Sequence, residues 1–153
     1  MQANPVNNEL YKDTRFILYH KTPSSGRTVF FRPQDGGACV LDKLPRLSQI
    51  MDDTIKPCTD NNVITLPTPL LKSLTEWLQI EQNEIEIDNE YYEKVDAAGG
   101  TITVYLVSFK MIDPPYAMAE RVGGKFVLLT EMRDLGPTEL ELLRRAYVAI
   151  MGG

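Results

Sequence analysis

RFILYHKTPSSGRTVFFR, residues 15–32, is the stretch that decides the fold class. Both ends of it are rich in β-branched and aromatic residues, which favour strands. The segment Thr22–Gly26 between them has the composition of a turn. The pattern therefore predicts a β-hairpin. A second turn at 34–37, followed by 38–42, predicts a third strand and thus an antiparallel meander.

Helices and strands alternate in the chain beyond this meander. Thr68 and Pro69 predict a helix start, because an N-cap residue precedes a proline at the first helical position. A final helix is predicted over 135–151, with Thr138 and Glu141 as its capping box. The remaining segments are predicted as short helices at 45–53, 89–98 and 116–122, a loop at 55–62, and strands at 84–88, 101–112 and 125–130.

The order of these elements indicates the fold class. The chain starts with a β-meander, and the helices come only after it. This order favours an α+β fold over a doubly wound parallel sheet. We expect the N-terminal antiparallel β-meander to belong to a mixed or mainly antiparallel sheet, with helices packed mostly on one face. Residues 1–12 lack periodicity and are interpreted as a flexible N-terminal arm. Residues 13–153 are expected to form a single domain, which suits a chain of 153 residues.

Composition argues against two classes of partner. The net charge is −5 and no run of Lys or Arg occurs, so we expect no nucleic acid partner. The longest apolar stretches, 16–19 and 126–129, are too short to cross a bilayer, so we expect no membrane partner. The N-terminus lacks the pattern of a secretory signal, which favours a cytoplasmic location.

The histidine and the cysteines are the first candidates for chemistry. His20 ends a predicted strand, where it is interpreted either as a general base facing a cleft or as an exposed strand-end residue. Cys39 and Cys58 are too few for a disulfide framework and are expected to be reduced and buried. These three side chains lack the paired spacing of a zinc site, so we expect no metal and no cofactor.

Two further motifs receive structural interpretations. Gly123 and Gly124 follow a predicted helix and precede a strand, which is typical of a helix C-cap and not of an anion-binding loop. The acids between 81 and 93 lack the Asp/Asn alternation and the turn glycine of a calcium loop. We interpret them as a solvated face: Glu81, Glu84, Glu86, Asp88, Glu90 and Glu93.

One cluster is a candidate ligand-binding site. It follows the strand that ends at a double proline, and strand ends that lead into helices often form the walls of ligand pockets. Asp113 or Glu120 would act as acid or base, and Arg121 would bind an anion. A rigid Pro-Pro corner explains the same residues without a ligand. The candidate residues are Asp113, Tyr116, Glu120, Arg121 and Lys125.

Two functional hypotheses follow. The first is a non-catalytic binding or protein-interaction domain, alone or as a homodimer, because Leu142, Val148 and Ala149 lie outside the main apolar stripe of the last helix. The alternative is a small-molecule-binding domain or enzyme with a pocket around residues 113–125. A chaperone for another polypeptide is a third possibility, which fits the small acidic character of the chain but has no specific residue behind it.

Overall fold

A computed structural model of the chain describes residues 13–40, 44–45, 47–51, 68–97 and 100–152. Within these ranges, six strands form one mixed sheet in the order β3-β4-β5-β1-β2-β6. They are β1 (Thr14–Lys21), β2 (Thr28–Arg32), β3 (Gln49–Ile50), β4 (Ile85–Ala97), β5 (Gly100–Phe109) and β6 (Lys125–Val127). β1 and β5 pair in parallel, and the other neighbours pair antiparallel.

Three α-helices accompany the sheet in the described ranges: α1 (Thr68–Leu78), α2 (Tyr116–Arg121) and α3 (Pro137–Gly152). Single 3-10 turns occur at Gln82–Glu84 and Leu129–Glu131. None of the described helices is long and apolar enough to span a bilayer. The predicted arm at 1–12 and the predicted loop at 55–62 lie outside the described residues.

The hairpin forms where the sequence predicts it. β1 and β2 pair antiparallel, with Tyr19 opposite Phe30. The turn is closed by the Thr22 amide, which donates to the Arg27 carbonyl at 2.9 Å. Gly26 has a φ of +74°, a backbone conformation that glycine adopts without steric cost.

The prediction of a third meander strand that pairs with β2 is wrong. Val40 instead forms an isolated antiparallel bridge with Phe16 of β1. The Phe16 amide donates to Val40 at 2.6 Å, and the Val40 amide donates back at 2.9 Å. β2 pairs on its other side with β6, so the hairpin is extended by a strand from the far end of the chain.

The predicted helices at 89–98 and 45–53 are also wrong. Residues 89–97 of the first segment belong to β4, whose register shifts between Ile87 and Tyr92 as it pairs with β5, and residue 98 lies outside the described ranges. Past this irregularity, Tyr91, Glu93 and Val95 are buried in alternation, which is the period of a strand. In the second segment Gln49–Ile50 forms β3, which pairs with β4; residues 46, 52 and 53 lie outside the described ranges.

The sheet is covered on both faces. α1 and α2 pack on one face and α3 on the other. Together with the strand pairing, these helices confirm the α+β class with a mixed, mainly antiparallel sheet. The first layer includes Phe16, Leu18, Leu70, Leu74, Leu78, Met118 and Ala119. The second includes Ile17, Tyr91, Leu106, Leu142, Leu143, Ala146 and Ile150. β5 lies between the layers, so its central residues are buried on both sides.

α3 begins two residues later than predicted, at Pro137. Thr138 does not act in a capping box, because its hydroxyl donates to the Ser48 carbonyl at 2.6 Å and so ties α3 to the segment before β3. Glu141 and Arg145 instead form an i, i+4 pair, in which Arg145 Nε donates to the Glu141 carboxylate at 3.1 Å. Arg145 also pairs with Glu93 at 3.1 Å.

The acids between 81 and 93 are not all solvated. Glu93 has only 8% of its side chain exposed, and its carboxylate faces Arg145. A buried carboxylate requires such a partner. The solvated-face interpretation is therefore wrong for Glu93, whereas Glu81 and Glu86 are exposed.

Candidate ligand-binding cleft

The ends of two paired strands bring a pair of cations together. Arg32 ends β2 and Lys125 begins β6, and the antiparallel register places them directly opposite one another. Side chains at such positions share one face of a sheet. Together they line a cleft of about 390 Å³, which we call the charged cleft. Its lining residues are Arg32, Pro33, Gln34, Gly36, Gly123, Gly124, Lys125 and Asp134.

Arg32 organises this cleft. Its Nη1 and Nη2 donate to the two carboxylate oxygens of Asp134 at 3.0 and 2.6 Å. Its Nε and Nη2 donate to the Gly36 carbonyl at 3.2 and 2.7 Å. The guanidinium therefore fixes the turn that follows β2. The hydrogen bond from Arg32 also lowers the pKa of the Asp134 carboxyl.

Two glycines also form part of the wall. The Gly124 amide donates to the Ala119 carbonyl at 2.8 Å, and Gly123 has a φ of +87°, as expected of a helix C-cap. A Cβ atom on Gly124 would lie 2.7 Å from the Arg32 carbonyl oxygen. The exit of α2 thus approaches β2 so closely that no side chain fits there, and the wall consists of backbone.

A second, apolar cleft of about 370 Å³ lies beside the first. It shares Pro33 and Gln34 with the charged cleft, and we call it the apolar cleft. Trp77 of α1 and Val122 at the end of α2 form its walls, and both pack against the apolar layer beneath those helices. Its lining residues are Pro33, Gln34, Asp35, Val40, Trp77 and Val122.

The predicted ligand-binding residues are only partly brought together. Lys125 lines the charged cleft, whereas Asp113, Tyr116, Glu120 and Arg121 are exposed and line neither cleft. Tyr116 packs its ring edge-on against another aromatic ring, that of Phe126, with centroids 5.8 Å apart. Of the five predicted residues, only Lys125, at the end of the segment 113–125, therefore lines a cleft.

Arg121 has a role other than the predicted anion binding. Its Nε donates to Gln79 Oε1 and its Nη2 to the Gln79 carbonyl, both at 3.1 Å. Gln79 follows the last residue of α1 and has a φ of +62°. The guanidinium thus binds a free carbonyl at a helix C-terminus, where positive charge is favourable. In this structure it connects α1 to α2.

Sequence reasoning did not find Arg32, Gln34 and Asp134. Arg32 and Asp134 are separated by 102 positions, so no local spacing relates them. The one available signal was the turn after β2, since a charged residue beside a turn at a strand end is well placed to line a cleft.

The interface candidates are placed differently from one another. Leu142 is 0% exposed, and its carbonyl accepts a hydrogen bond from the Tyr91 hydroxyl at 3.1 Å. It therefore cannot contact a partner, and its assignment to a surface is wrong. Ala149 is partly buried against the same layer, and only Val148, at 69%, is largely exposed. The buried arc of α3 is wider than its sequence indicated.

His20 and Cys39 are both fully buried. His20 Nε2 donates to the Met111 carbonyl at 2.8 Å, so neither the exposed nor the cleft-facing interpretation of this histidine is correct. Cys39 is a free thiol, and burial raises its pKa far above the usual range. Cys58 lies outside the described residues. Among the side chains that the structure describes, no three of His, Cys, Asp or Glu gather as metal ligands would.

Comparisons with known proteins add one finding. No protein-family model and no curated protein matches the chain. Three chains of solved structures match, one of them a Nudix hydrolase from M. smegmatis, RenU. It is 13% identical, the match covers 91% of this chain and 85% of that chain, and the TM-score is 0.48. A likeness at this level does not transfer a reaction or a substrate.

The hypothesis of a non-catalytic protein-interaction domain is corrected, because its physical basis is lost. It relied on apolar residues of α3 that one fold would leave uncovered, and Leu142 is completely covered. The interaction hypothesis is therefore set aside.

Proposed function

We propose that this chain binds a small organic anion, as ligand or substrate, in the charged cleft. The observation that carries the proposal is the pairing of Arg32 with Lys125 across β2 and β6, in a cleft that Gly123 and Gly124 also line. The proposal keeps the predicted pocket near residues 113–125 but places it at the end of that segment, with β2 as its second wall.

The charges of the lining residues favour an anion. Arg32 and Lys125 are cationic and Asp134 is anionic, so these three side chains leave one net positive charge in a protein whose total charge is −5. Asp35 and Glu139 also act electrostatically on Arg32, so the attraction for a small anion rests on the two cationic side chains that line the cleft and not on the wider field. The protein's overall charge disfavours polyanions, which suits a small ligand.

Asp134 can be displaced by a ligand. Its side chain is 67% exposed, so it can turn into solvent when another oxyanion takes its place on Arg32. The incoming oxyanion takes over the two hydrogen bonds that Asp134 accepts, so the largely buried guanidinium keeps its partners in the exchange. Arg32 then offers two parallel N–H donors, an arrangement that suits carboxylates and phosphates. The volume of the cleft, about 390 Å³, falls within the range of small-molecule sites.

The proposal is tested by thermal-shift screening with small phosphate esters and carboxylates, followed by titration of the compounds that stabilise the protein. A ligand at 100 times its Kd adds about 2.7 kcal/mol to the free energy of unfolding. We expect Lys125→Glu to weaken such ligands by at least about tenfold, because it reverses the charge beside Arg32.

The matched control is Lys21→Glu. It changes the net charge equally but lies where β1 pairs with Thr28, at the opposite end of β2 from Arg32. Equal weakening by both variants, or no ligand in the whole panel, contradicts the proposal. Incubation of each bound compound with the protein, followed by mass spectrometry, separates a ligand from a substrate. The cytoplasmic location expected from the sequence stays a prediction.

A further inference from the structure

We infer that the apolar cleft is the second half of the same site, and that the ligand is an oxyanion joined by a short chain to an aromatic ring. The inference rests on the proposed function and adds the chemical class of the ligand. Its basis is the junction of the two clefts at Pro33 and Gln34, which line both of them.

The two clefts open on opposite sides of the turn that follows β2. Arg32 shares a sheet face with Phe30, whose side chain belongs to the layer beneath α3. Trp77 and Val122 pack against the layer beneath α1 and α2. One ligand that occupies both clefts must therefore pass over Gln34, which is exposed and lies at the junction. This requires a flexible chain of a few atoms between the anionic group and the ring.

The walls of the apolar cleft suit an aromatic ring. Contact between the Trp77 indole and a second aromatic ring contributes binding free energy beyond that of buried area alone. Val122 provides an aliphatic surface from another element. The one carboxylate in this cleft, on Asp35, already accepts a hydrogen bond from the Gly37 amide at 2.9 Å. The cleft thus offers mainly apolar contact to an incoming group.

Arg121 holds the two walls in position. Trp77 lies two residues before Gln79, and Val122 directly follows Arg121, so the hydrogen bonds from Arg121 to Gln79 connect the segments that carry the walls. Arg121 is therefore a positioning residue for the apolar cleft. It contacts no ligand in this arrangement.

Two pairs of probes that differ only in the ring test the inference. They are 3-phenylpropyl phosphate with propyl phosphate, and 5-phenylpentanoate with pentanoate. In any pair that binds, we expect the compound with the ring to bind at least about tenfold more tightly. Trp77 is the single tryptophan of the chain, so its fluorescence should change with the ring compound and much less with the other.

Variants separate contact from general loss of structure. Val122→Thr keeps the side-chain volume but adds a hydroxyl to the apolar cleft, and we expect it to lower the preference for the ring by at least about threefold while propyl phosphate or pentanoate binds as before. Arg121→Met should lower the same preference. Val148→Thr makes the same exchange at an exposed position of α3 and should change neither affinity.

The outcomes are distinct. If both members of a pair bind equally, or if Val122→Thr weakens both alike, the second half of the site is refuted while the anion site stands. If no member of either pair binds, and the screen described above is also empty, the proposed function itself is overturned and this inference with it.

Discussion

Tyr19 shows how packing in β1 changes the chemistry of one side chain. It is buried, and its hydroxyl makes a weak hydrogen bond to Asp88 Oδ2 at 3.4 Å. Burial, and then the negative charge of Asp88, raise the pKa of Tyr19 to about 12. Both causes act in the same direction, because each of them disfavours the phenolate.

Stability at high pH should reflect this residue. In the unfolded chain a tyrosine loses its proton near pH 10, whereas folded Tyr19 keeps it to about pH 12. The contribution of Tyr19 is thus fully present below pH 10 and is lost as the pH rises toward 12. We expect Tyr19→Phe to make the fall in the free energy of unfolding shallower over this range. Urea unfolding at pH 9, 10 and 11 measures it, and parallel curves for both proteins would refute the assignment.

At the scale of the element, the close approach of the C-terminal end of α2 to β2 depends on Gly124. A Cβ atom there would meet the Phe31 ring and the Arg32 carbonyl oxygen, and the latter belongs to backbone that β6 holds in place. The strand pairing leaves the chain little room to move. The close approach of α2 to β2 is therefore possible only with glycine at this position.

Gly124→Ala should therefore destabilise the protein by about 2 to 4 kcal/mol, as overpacking against a fixed backbone does. The matched control is Gly152→Ala, because a Cβ atom on Gly152, at the end of α3, meets no other atom within 4 Å. Urea denaturation of both variants provides the comparison. A loss for Gly124→Ala no larger than that for Gly152→Ala would show that the two elements are not held so closely.

At the scale of the whole molecule, α3 is the helix that covers the second face of the sheet. Leu142 is 0% exposed there, whereas Val148, on the same helix, is 69% exposed. We expect Leu142→Ala to lower the free energy of unfolding by about 2 to 5 kcal/mol, because it leaves a cavity in the layer. Val148→Ala should change it by less than about 0.5 kcal/mol. Similar losses measured by chemical denaturation would contradict this position of α3.

Local signals in the sequence predicted much of the fold. The hairpin around Thr22–Gly26, the short helix α2 and the long helix α3 each have a turn, a double glycine or a periodic apolar face that marks them. The second half of β4 was predicted as a helix, because apolar residues such as Tyr91 and Val95 do not alternate clearly with polar residues in this part of the sequence. What determines its conformation is pairing with β5, which is a tertiary effect.

The candidate site was less predictable than the fold. Lys125 was found because it follows a recognisable helix exit, but its neighbour Arg32 lies on β2, far earlier in the chain. Arg121 was predicted to bind an anion only because it is positively charged. Only the position of Gln79 after α1 shows that it binds a carbonyl oxygen of the protein.

The parallel pairing of β1 with β5 has a consequence for synthesis of the chain. Thr14 pairs with Thr103, so β1 leaves the ribosome well before its partner β5 has been made. Until then one side of β1 presents free amide and carbonyl groups to other nascent chains. Such distant pairing slows folding and extends the period in which aggregation competes with it. Yield from cells should therefore improve when the temperature of expression is lowered, because the hydrophobic association that drives aggregation weakens on cooling.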